Sequence, residues 1–282
     1  MTNSQFSYDV LLLIMLFFLG GWLCCRLIVK KVIIMISKSG FVRLNYKGQE
    51  IPVGAGVVIF LSMLVVYAVA FLCIPENVQN NALTMLWALS AFTLLGLMDD
   101  VWGSRKVTGL KGHLLSLWRG QLTTGAIKAL AGIVMSFLLA VVSSDELIMV
   151  PLNAAILALS VNCINLMDLR PGRAAKFFLL LWLLLCIVAP LEPEVALLAG
   201  VAGALLGYLP FDLRARAMLG DTGANALGAA LGLGAVWFLD TPYKIGYLIF
   251  LIIFHLFTEK YSLTTIIAKN RLLRFLDEMG RR

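Results

Sequence analysis

Charge is scarce in this chain, and histidine is nearly absent. Only 14% of its 282 residues are Asp, Glu, Lys or Arg, and only two are His, whereas about a quarter of the residues in soluble domains are charged. So low a charge density, with 61% hydrophobic residues and a mean hydropathy of +0.92, excludes a soluble globular domain and a disordered chain. The net charge of +7 therefore indicates a membrane partner and no nucleic acid.

The sequence also shows neither a metal-binding cysteine pattern nor a signal-peptide cleavage site. The five cysteines lie in or beside apolar stretches without metal-binding spacing, so we interpret them as small packing residues. The first apolar stretch, residues 10–25, leads into a basic segment and not into a small-residue cleavage site. We therefore expect no cleavable signal peptide.

Long apolar runs dominate what is present. A membrane-spanning helix needs about 20 mostly apolar residues, and such stretches follow one another along the chain. They are residues 10–29, 51–74, 79–98, 127–143, 147–167, 176–191, 194–210, 223–239 and 244–260. We predict an all-α fold, a polytopic transmembrane helical bundle of about nine spans that forms a single integral membrane domain, residues 1–282.

Basic residues predict the side on which each loop lies. If alternate loops are assigned to the cytoplasm, every Lys and Arg except Lys244 falls in those loops or in the C-terminal tail. The positive-inside rule then predicts an external N-terminus and a cytoplasmic C-terminus in the plasma membrane. The outer loops are very short, so we expect the chemistry on the inner side. The inner segments are residues 30–50, 99–128, 168–176 and 211–222, with a basic tail at 261–282.

Two inner segments are amphipathic. Residues 109–120 carry leucines and a tryptophan at helical spacing among basic residues, and residues 262–282 mix apolar and basic side chains in the same way. Both patterns predict attachment to the membrane surface. His255 lies inside an apolar helix, so we predict that it is a packed, neutral side chain.

Polar side chains at the inner helix ends are the candidates for chemistry, because such groups at membrane depth are costly. Asp99 and Asp100 end the third span. Adjacent carboxylates on a helix point about 100° apart, so one can bind a divalent cation while the other is a second ligand or a base. The pair could equally be helix-end charges neutralised by Arg105 or Lys106.

A second polar set ends the fifth span. Asn162, Asn165 and Asp168 recur at every third residue and so share one helix face. They are candidates either for substrate binding or for hydrogen bonds between helices. In the turn that follows, Arg170 and Arg173 could clamp phosphate or contact anionic lipid headgroups.

A third set, Gly-Asp-Thr-Gly at residues 220–223, opens the eighth span. Such a helix start brings free backbone N–H groups and the Asp221 carboxylate together, which suits an anionic ligand bridged by a cation. An ordinary N-cap would also explain Asp221. Three acidic sites on one face of the membrane describe a pocket for a divalent cation and phosphates.

These motifs and their order resemble the polyprenyl-phosphate N-acetylhexosamine-1-phosphate transferases, glycosyltransferase family 4. This family includes phospho-N-acetylmuramoyl-pentapeptide transferase and the enzyme that attaches GlcNAc-1-phosphate to undecaprenyl phosphate. The segments that carry the resemblance are residues 44–48, 51–56, 96–100, 122–128, 162–168 and 220–223.

The resemblance implies transfer of a sugar-1-phosphate from a UDP-sugar to undecaprenyl or another polyprenyl phosphate at the cytoplasmic membrane face. UMP is released, and the product serves cell-wall or surface-polysaccharide synthesis. The resemblance implies Mg²⁺ (or Mn²⁺) as cofactor and is compatible with a homodimer. By position, Asp99, Asp100 and Asp221 would bind the metal or assist attack by the lipid phosphate. The residues assigned to substrate binding are Asn45, Lys128, Asn162, Asn165, Asp168, Arg170, Arg173, Thr222 and Gly223.

Departures from the family pattern predict altered substrate recognition. Pro171 stands where the family has Asp or Asn, Phe211 and Asp212 stand in the segment where the family has Asn and Pro, and the His-rich motif of the last inner loop is missing. These departures keep a second hypothesis open, a non-catalytic relative that binds a lipid phosphate or a partner protein. A third hypothesis, a transporter, predicts helix breaks at mid-membrane, whereas the polar sites lie at helix ends.

Overall fold

Helices make up nearly all of the fold. A computed structural model of the chain describes residues 3–72, 74, 76–103, 124–189 and 191–281. Its helices are α1 (Asn3–Lys38), α2 (Val57–Ala70), α3 (Glu76–Trp102), α4 (Thr124–Val142), α5 (Val150–Met167), α6 (Arg173–Val188), α7 (Glu194–Leu213), α8 (Gly220–Phe238), α9 (Thr241–Lys260), α10 (Leu263–Lys269) and α11 (Arg271–Glu278). A short 3-10 turn, Leu147–Met149, leads into α5. The predicted helical class is confirmed.

Each predicted span overlaps one of the first nine helices. Among the described residues, six helices are long and apolar enough to cross a membrane by length and composition, namely α1, α3, α4, α5, α7 and α9. Helices α2 and α6 are apolar but shorter. The chain is therefore a multi-pass membrane protein, while its span number and orientation stay predictions.

The core is built around α7 and α8. Nearly every residue of these two helices is buried, because their many Gly and Ala residues let neighbouring helices approach closely. Helix α1 packs along α7, while α3 and α5 pack against α8. Helix α9, in contrast, buries only Leu251 and exposes a long apolar face, as expected of a surface in contact with lipid.

A β-hairpin between α1 and α2 was not predicted. Strand β1 (Val42–Leu44) pairs antiparallel with β2 (Glu50–Pro52), so the helix predicted from residue 51 begins only at Val57. Proline has no N–H to donate and disfavours helical conformation in the preceding residue, which explains the delay. The hairpin turn is closed by Asn45, whose side-chain oxygen accepts the backbone N–H groups of residues 47 and 49.

The C-terminal tail folds into α10 and α11. On α11, Leu272, Phe275 and Leu276 are exposed, which agrees with the amphipathic character predicted for the tail. Its attachment to a membrane surface stays a prediction. The amphipathic helix predicted at 109–120 lies outside the described residues.

Candidate active site

The candidate site forms where helix ends meet at one end of the bundle. Helices α3, α5 and α7 contribute their C-terminal ends there, and α4 and α8 contribute their N-terminal ends. The ionisable residues there are Asp99 and Asp100 of α3, Lys128 of α4, Asp168 just past the end of α5, Asp212 of α7 and Asp221 of α8. A cavity of about 400 Å³ opens at this point, which is within the size range of small-molecule sites.

Asp100 holds the start of α8. One of its carboxylate oxygens accepts the backbone N–H and the hydroxyl of Thr222, at 2.9 and 2.6 Å, and the other accepts the backbone N–H of Asp221 at 3.2 Å. Gly220 has φ +71°, and a side chain there would overlap the Asp100 carboxylate. Asp100 therefore caps a helix on a distant part of the chain and satisfies its free N–H groups.

Asp99 points to a different partner. Lys128 donates from its ammonium group to Asp99 at 3.1 Å and also to Asp221, so one cation bridges two carboxylates from α3 and α8. All three side chains are about a quarter exposed, which leaves them accessible. Asp99 and Lys128 line a small pocket of about 70 Å³, and Asp221 lines the larger cavity.

A second acidic pair, Asp168 and Asp212, also lines the larger cavity. Asp168, just past the end of α5, accepts the backbone N–H of Gly220. Burial and the neighbouring carboxylates of Asp212, Asp221 and Asp100 raise the pKa of Asp168 well above its ordinary value. Asp212 is buried and accepts the backbone N–H of Gly172 at 2.9 Å, which anchors the turn between α5 and α6.

Basic and aromatic side chains also line the cavity. Arg43 of β1 donates to the backbone carbonyl of Asp100 at 2.6 Å. The Lys47 ammonium and the Arg170 guanidinium lie over the ring of Tyr46, in the hairpin turn, at 5.6 and 5.2 Å from its centre. Arg43, Tyr46 and Arg170 all line the cavity, so its lining carries positive as well as negative charge.

The structure brings most of the residues predicted from the sequence together. Those that line the larger cavity or the adjoining pocket are Asn45, Asp99, Asp100, Lys128, Asp168, Arg170 and Asp221. Thr222 and Gly223 are buried in the capped start of α8. Asn165 connects these two sets, since its side-chain amide donates to Asn225 at 2.8 Å and also hydrogen-bonds Asp221.

Asn162 and Arg173 do not join the cavity. Asn162 is exposed on α5, although the spacing of three predicts that it shares a face with Asn165. Arg173 is 4% exposed and bonds Asp277 through two nitrogens, so its guanidinium is turned towards the C-terminal tail. A role for either side chain in substrate binding is not supported by its position.

The carboxylates present fit a divalent cation that is shared with phosphate. Among the described residues, no cluster of three or more Asp, Glu, His or Cys could hold a metal alone. Mg²⁺, however, is often held by one or two carboxylates together with substrate phosphates and water. Asp99 and Asp221 provide such a pair, and the Lys128 ammonium between them marks a place that already attracts a cation.

Arg43, Tyr46, Asp212 and Asn225 were not assigned to the site from the sequence. Arg43 was counted only as an orientation signal, and Asp212 only as a departure from a motif. Asn225 lies two residues after the Gly-Asp-Thr-Gly segment, and its spacing of four from Asp221 could have indicated a shared helix face.

A comparison with protein families shows the family to which this chain belongs. The family model described as "Glycosyl transferase family 4" matches residues 82–239, which is more than half of the chain. The chain belongs to glycosyl transferase family 4. The match runs from α3 to the end of α8, so it contains Asp99, Lys128 and Asp221 but leaves out the hairpin and the C-terminal tail. The resemblance inferred from the motifs is therefore confirmed at the level of the family.

Curated relatives of this chain carry the name phospho-N-acetylmuramoyl-pentapeptide-transferase. One from Clostridium beijerinckii is 26% identical over 204 residues, which is 67% of this chain and 60% of the relative. One from Moorella thermoacetica is 28% identical over 64% of this chain and 59% of its own length, and one from Acetivibrio thermocellus is 38% identical over 92 residues, 31% of this chain and 28% of its own. The chain thus spans about 60% of the length of the first of these relatives.

Proposed function

We propose that this family 4 member is a phosphoglycosyl transferase. It moves a sugar-1-phosphate from a nucleotide sugar, UDP-linked, to a polyprenyl phosphate and releases UMP, in cell-wall or surface-polysaccharide synthesis. The observation that carries the proposal is the cluster of Asp99, Lys128 and Asp221 beside the 400 Å³ cavity. Relatives named for this type of transfer support the reaction class.

The cluster suits phosphoryl transfer because that chemistry depends on positioning and on neutralising charge. Lys128 can move from its carboxylates to phosphate oxygens, and Arg170 faces the same cavity. Asp99 and Asp221 would hold Mg²⁺, which when bound offsets phosphate charge as a Lewis acid. Asp100 keeps the start of α8 in register, so that Asp221 is presented next to Asp99.

The proposed site faces the cytoplasm in the plasma membrane. The positive-inside distribution of Lys and Arg supports this orientation, because the helix ends that carry the site adjoin the predicted inner segments. A nucleotide sugar made in the cytoplasm would then meet the membrane-bound lipid phosphate without crossing the membrane. In this proposal the chain crosses the membrane about nine times.

Pro171 favours one alternative, a relative that binds a lipid phosphate or a partner protein without catalysis. Pro171 lines the cavity where the resembled family has a polar residue, so a hydrogen-bonding side chain is lost from this wall. The alternative predicts that ligands still bind while no UMP is released.

The test measures UMP release and formation of lipid-linked sugar phosphate. Purified protein in detergent with polyprenyl phosphate and Mg²⁺ is supplied with a panel of UDP-sugars, and wild type is compared with Asp99→Asn and Asp221→Asn. We expect turnover with at least one donor and a loss of about 100-fold or more in either variant, since each removes charge from the reacting centre. Asp145→Asn is the matched control, because Asp145 is exposed and remote from the cavity.

Two results would count against the proposal. Absence of turnover with every donor, together with binding of polyprenyl phosphate, supports the non-catalytic alternative. Turnover that is unaffected by Asp99→Asn and Asp221→Asn would mean that the reaction takes place elsewhere in the chain.

A further inference from the structure

The C-terminal tail is fastened to the turn that leads from α5 into α6. Arg173, at the start of α6, donates to both carboxylate oxygens of Asp277 on α11, at 2.8 and 2.9 Å. Its remaining nitrogen donates to Thr264 of α10 at 3.1 Å. Arg173 and Asp277 are 4% and 9% exposed, and a paired, fork-like geometry of this kind gives strong directional hydrogen bonds.

Asp277 extends the connection to a third residue. Arg281, one helical turn further on, also donates to both oxygens of Asp277, at 2.8 and 3.0 Å. Its third donor, Nε, bonds the backbone carbonyl oxygen of Pro171 at 2.7 Å. The sequence Arg173–Asp277–Arg281–Pro171 is therefore a continuous set of contacts that begins and ends on the same turn.

Lys176 reinforces the same attachment. Its ammonium donates to the backbone carbonyl oxygens of Leu276, Asp277 and Met279, at 2.8, 2.6 and 3.1 Å. Those carbonyls belong to the C-terminal end of α11, where a positive charge is favourable because the carbonyl groups have no partners within the helix. The tail is thus bound through its backbone as well as through a side chain.

The turn that receives the tail is a wall of the cavity. Its residues Asp168, Leu169, Arg170 and Pro171 all line the cavity. The backbone N–H of Gly172 binds the turn to the Asp212 carboxylate of α7. Arg281 holds the turn through the carbonyl of Pro171, and Asp168 holds it through the N–H of Gly220, so the turn is attached to α7, to α8 and to the tail.

We propose that the C-terminal tail is a positioning element of the substrate cavity, with Asp277 and Arg281 as its positioning residues. The effect on substrate rests on the proposed function. The tail lies outside residues 82–239, which the family model matches. The tail keeps the turn against the cavity, and with it the Arg170 guanidinium, which lies 5.2 Å from the centre of the Tyr46 ring. Loss of the tail contacts would weaken nucleotide-sugar binding more than it would slow the chemical step.

Hydrogen exchange tests the positioning without reference to activity. Full-length protein in detergent is compared with Asp277→Asn and Arg281→Gln, and the matched controls are Glu278→Gln and Arg274→Gln, whose side chains are exposed on the same helix. We expect faster amide exchange across 169–176 in the two variants only, with exchange in α3 and α8 unchanged. Unchanged exchange across 169–176 would overturn the proposal.

Steady-state kinetics test the consequence for substrate. With a UDP-sugar that wild type turns over, we expect Arg281→Gln to raise the donor KM about tenfold, as loss of a charged hydrogen bond implies, with kcat nearly unchanged. Arg281→Lys, which keeps one charged donor, should recover part of the KM. A fall in kcat at constant KM, or equal effects in the controls, would overturn the positioning role. If wild type turns over no donor but the exchange result holds, the proposed function fails and the attachment of the turn stands.

Discussion

Gly96 of α3 lies in direct backbone contact with Asp221 of α8. A methyl group at Gly96 would overlap the carbonyl carbon and oxygen of Asp221, so the two helices meet here with no side chain between them. Asp99 follows Gly96 by one helical turn, and the close approach is what brings its carboxylate within reach of the cation that also binds Asp221. The distance between these helices therefore sets the geometry of the site.

Gly96→Ala should push α3 away from α8. Because the overlap is with backbone, which cannot rotate away, we expect the free energy of unfolding to fall by about 3 kcal/mol, the upper end of the range typical of overpacking. We also expect loss of turnover. Thermal unfolding in detergent measures the first effect. Gly246→Ala on α9 is the control, since a methyl group there meets nothing within 4 Å. Equal Tm values for Gly96→Ala and wild type would contradict the contact.

Asp100→Asn and Asp99→Asn should have different effects, although the residues are adjacent. Asp100→Asn replaces one acceptor with an NH₂ group that faces N–H and hydroxyl donors, so we expect a loss of about 1–3 kcal/mol in unfolding free energy. Asp99→Asn loses a partly exposed ion pair and should cost about 1 kcal/mol or less while abolishing turnover. Paired measurements of Tm and UMP release separate the two roles. A variant of Asp100 as stable as wild type would disprove the capping role.

Lys128→Gln should increase the response of the protein to divalent cations. In wild type the ammonium competes with a metal for Asp99 and Asp221, and its removal leaves two facing carboxylates without a cation. We expect Mg²⁺ to raise the Tm of Lys128→Gln more than that of wild type, and EDTA to reverse the rise. Lys260→Gln, at the exposed end of α9, controls for net charge. The same Mg²⁺ response in all three proteins would exclude a metal at this pair.

The tail should stay attached until the pH is strongly acidic. Although burial alone would raise it, hydrogen bonds from Arg173 and Arg281 lower the pKa of Asp277 from 3.8 to about 2. A pKa that is lower in the folded state gives stability that is complete above the unfolded value and is lost as the pH falls through the folded value. The Tm difference between wild type and Asp277→Asn should thus be constant from about pH 7 to pH 5 and shrink between about pH 4 and pH 2.

Glu278→Gln supplies the reference for this titration, since it removes a neighbouring exposed carboxylate without touching Arg173. A Tm difference for Asp277→Asn that persists unchanged at about pH 2 would show that the carboxylate charge is not what holds the tail.

Apolar runs made the helices predictable, but local chemistry decided their ends. The second span was expected from residue 51, yet Pro52 and the Asn45 turn direct that segment into a hairpin. Likewise, the sequence shows that Asp99 and Asp100 point in different directions, but not which of them meets Thr222 and which meets Lys128. That choice depends on how α3 is rotated against α8, and packing of the whole bundle sets this rotation.

Contacts between distant segments were the least predictable part of the site. Arg173 looked like a phosphate ligand because it follows a polar helix end, but its partner, Asp277, lies 104 residues later in a segment interpreted only as amphipathic. Charge type and local spacing do not report such pairings. Asp221 and Asp168 could be assigned to one pocket because helix ends on the same membrane face have few other places to meet.

The bond between Asp100 and Thr222 also has a consequence for biosynthesis. The two residues are 122 positions apart, so at about 5–20 residues per second the second is made roughly 6–24 s after the first. During that interval the carboxylate of Asp100 lacks the helix start that it will cap. A nascent chain that stops between them keeps an acidic helix end without the N–H and hydroxyl donors of residues 221 and 222.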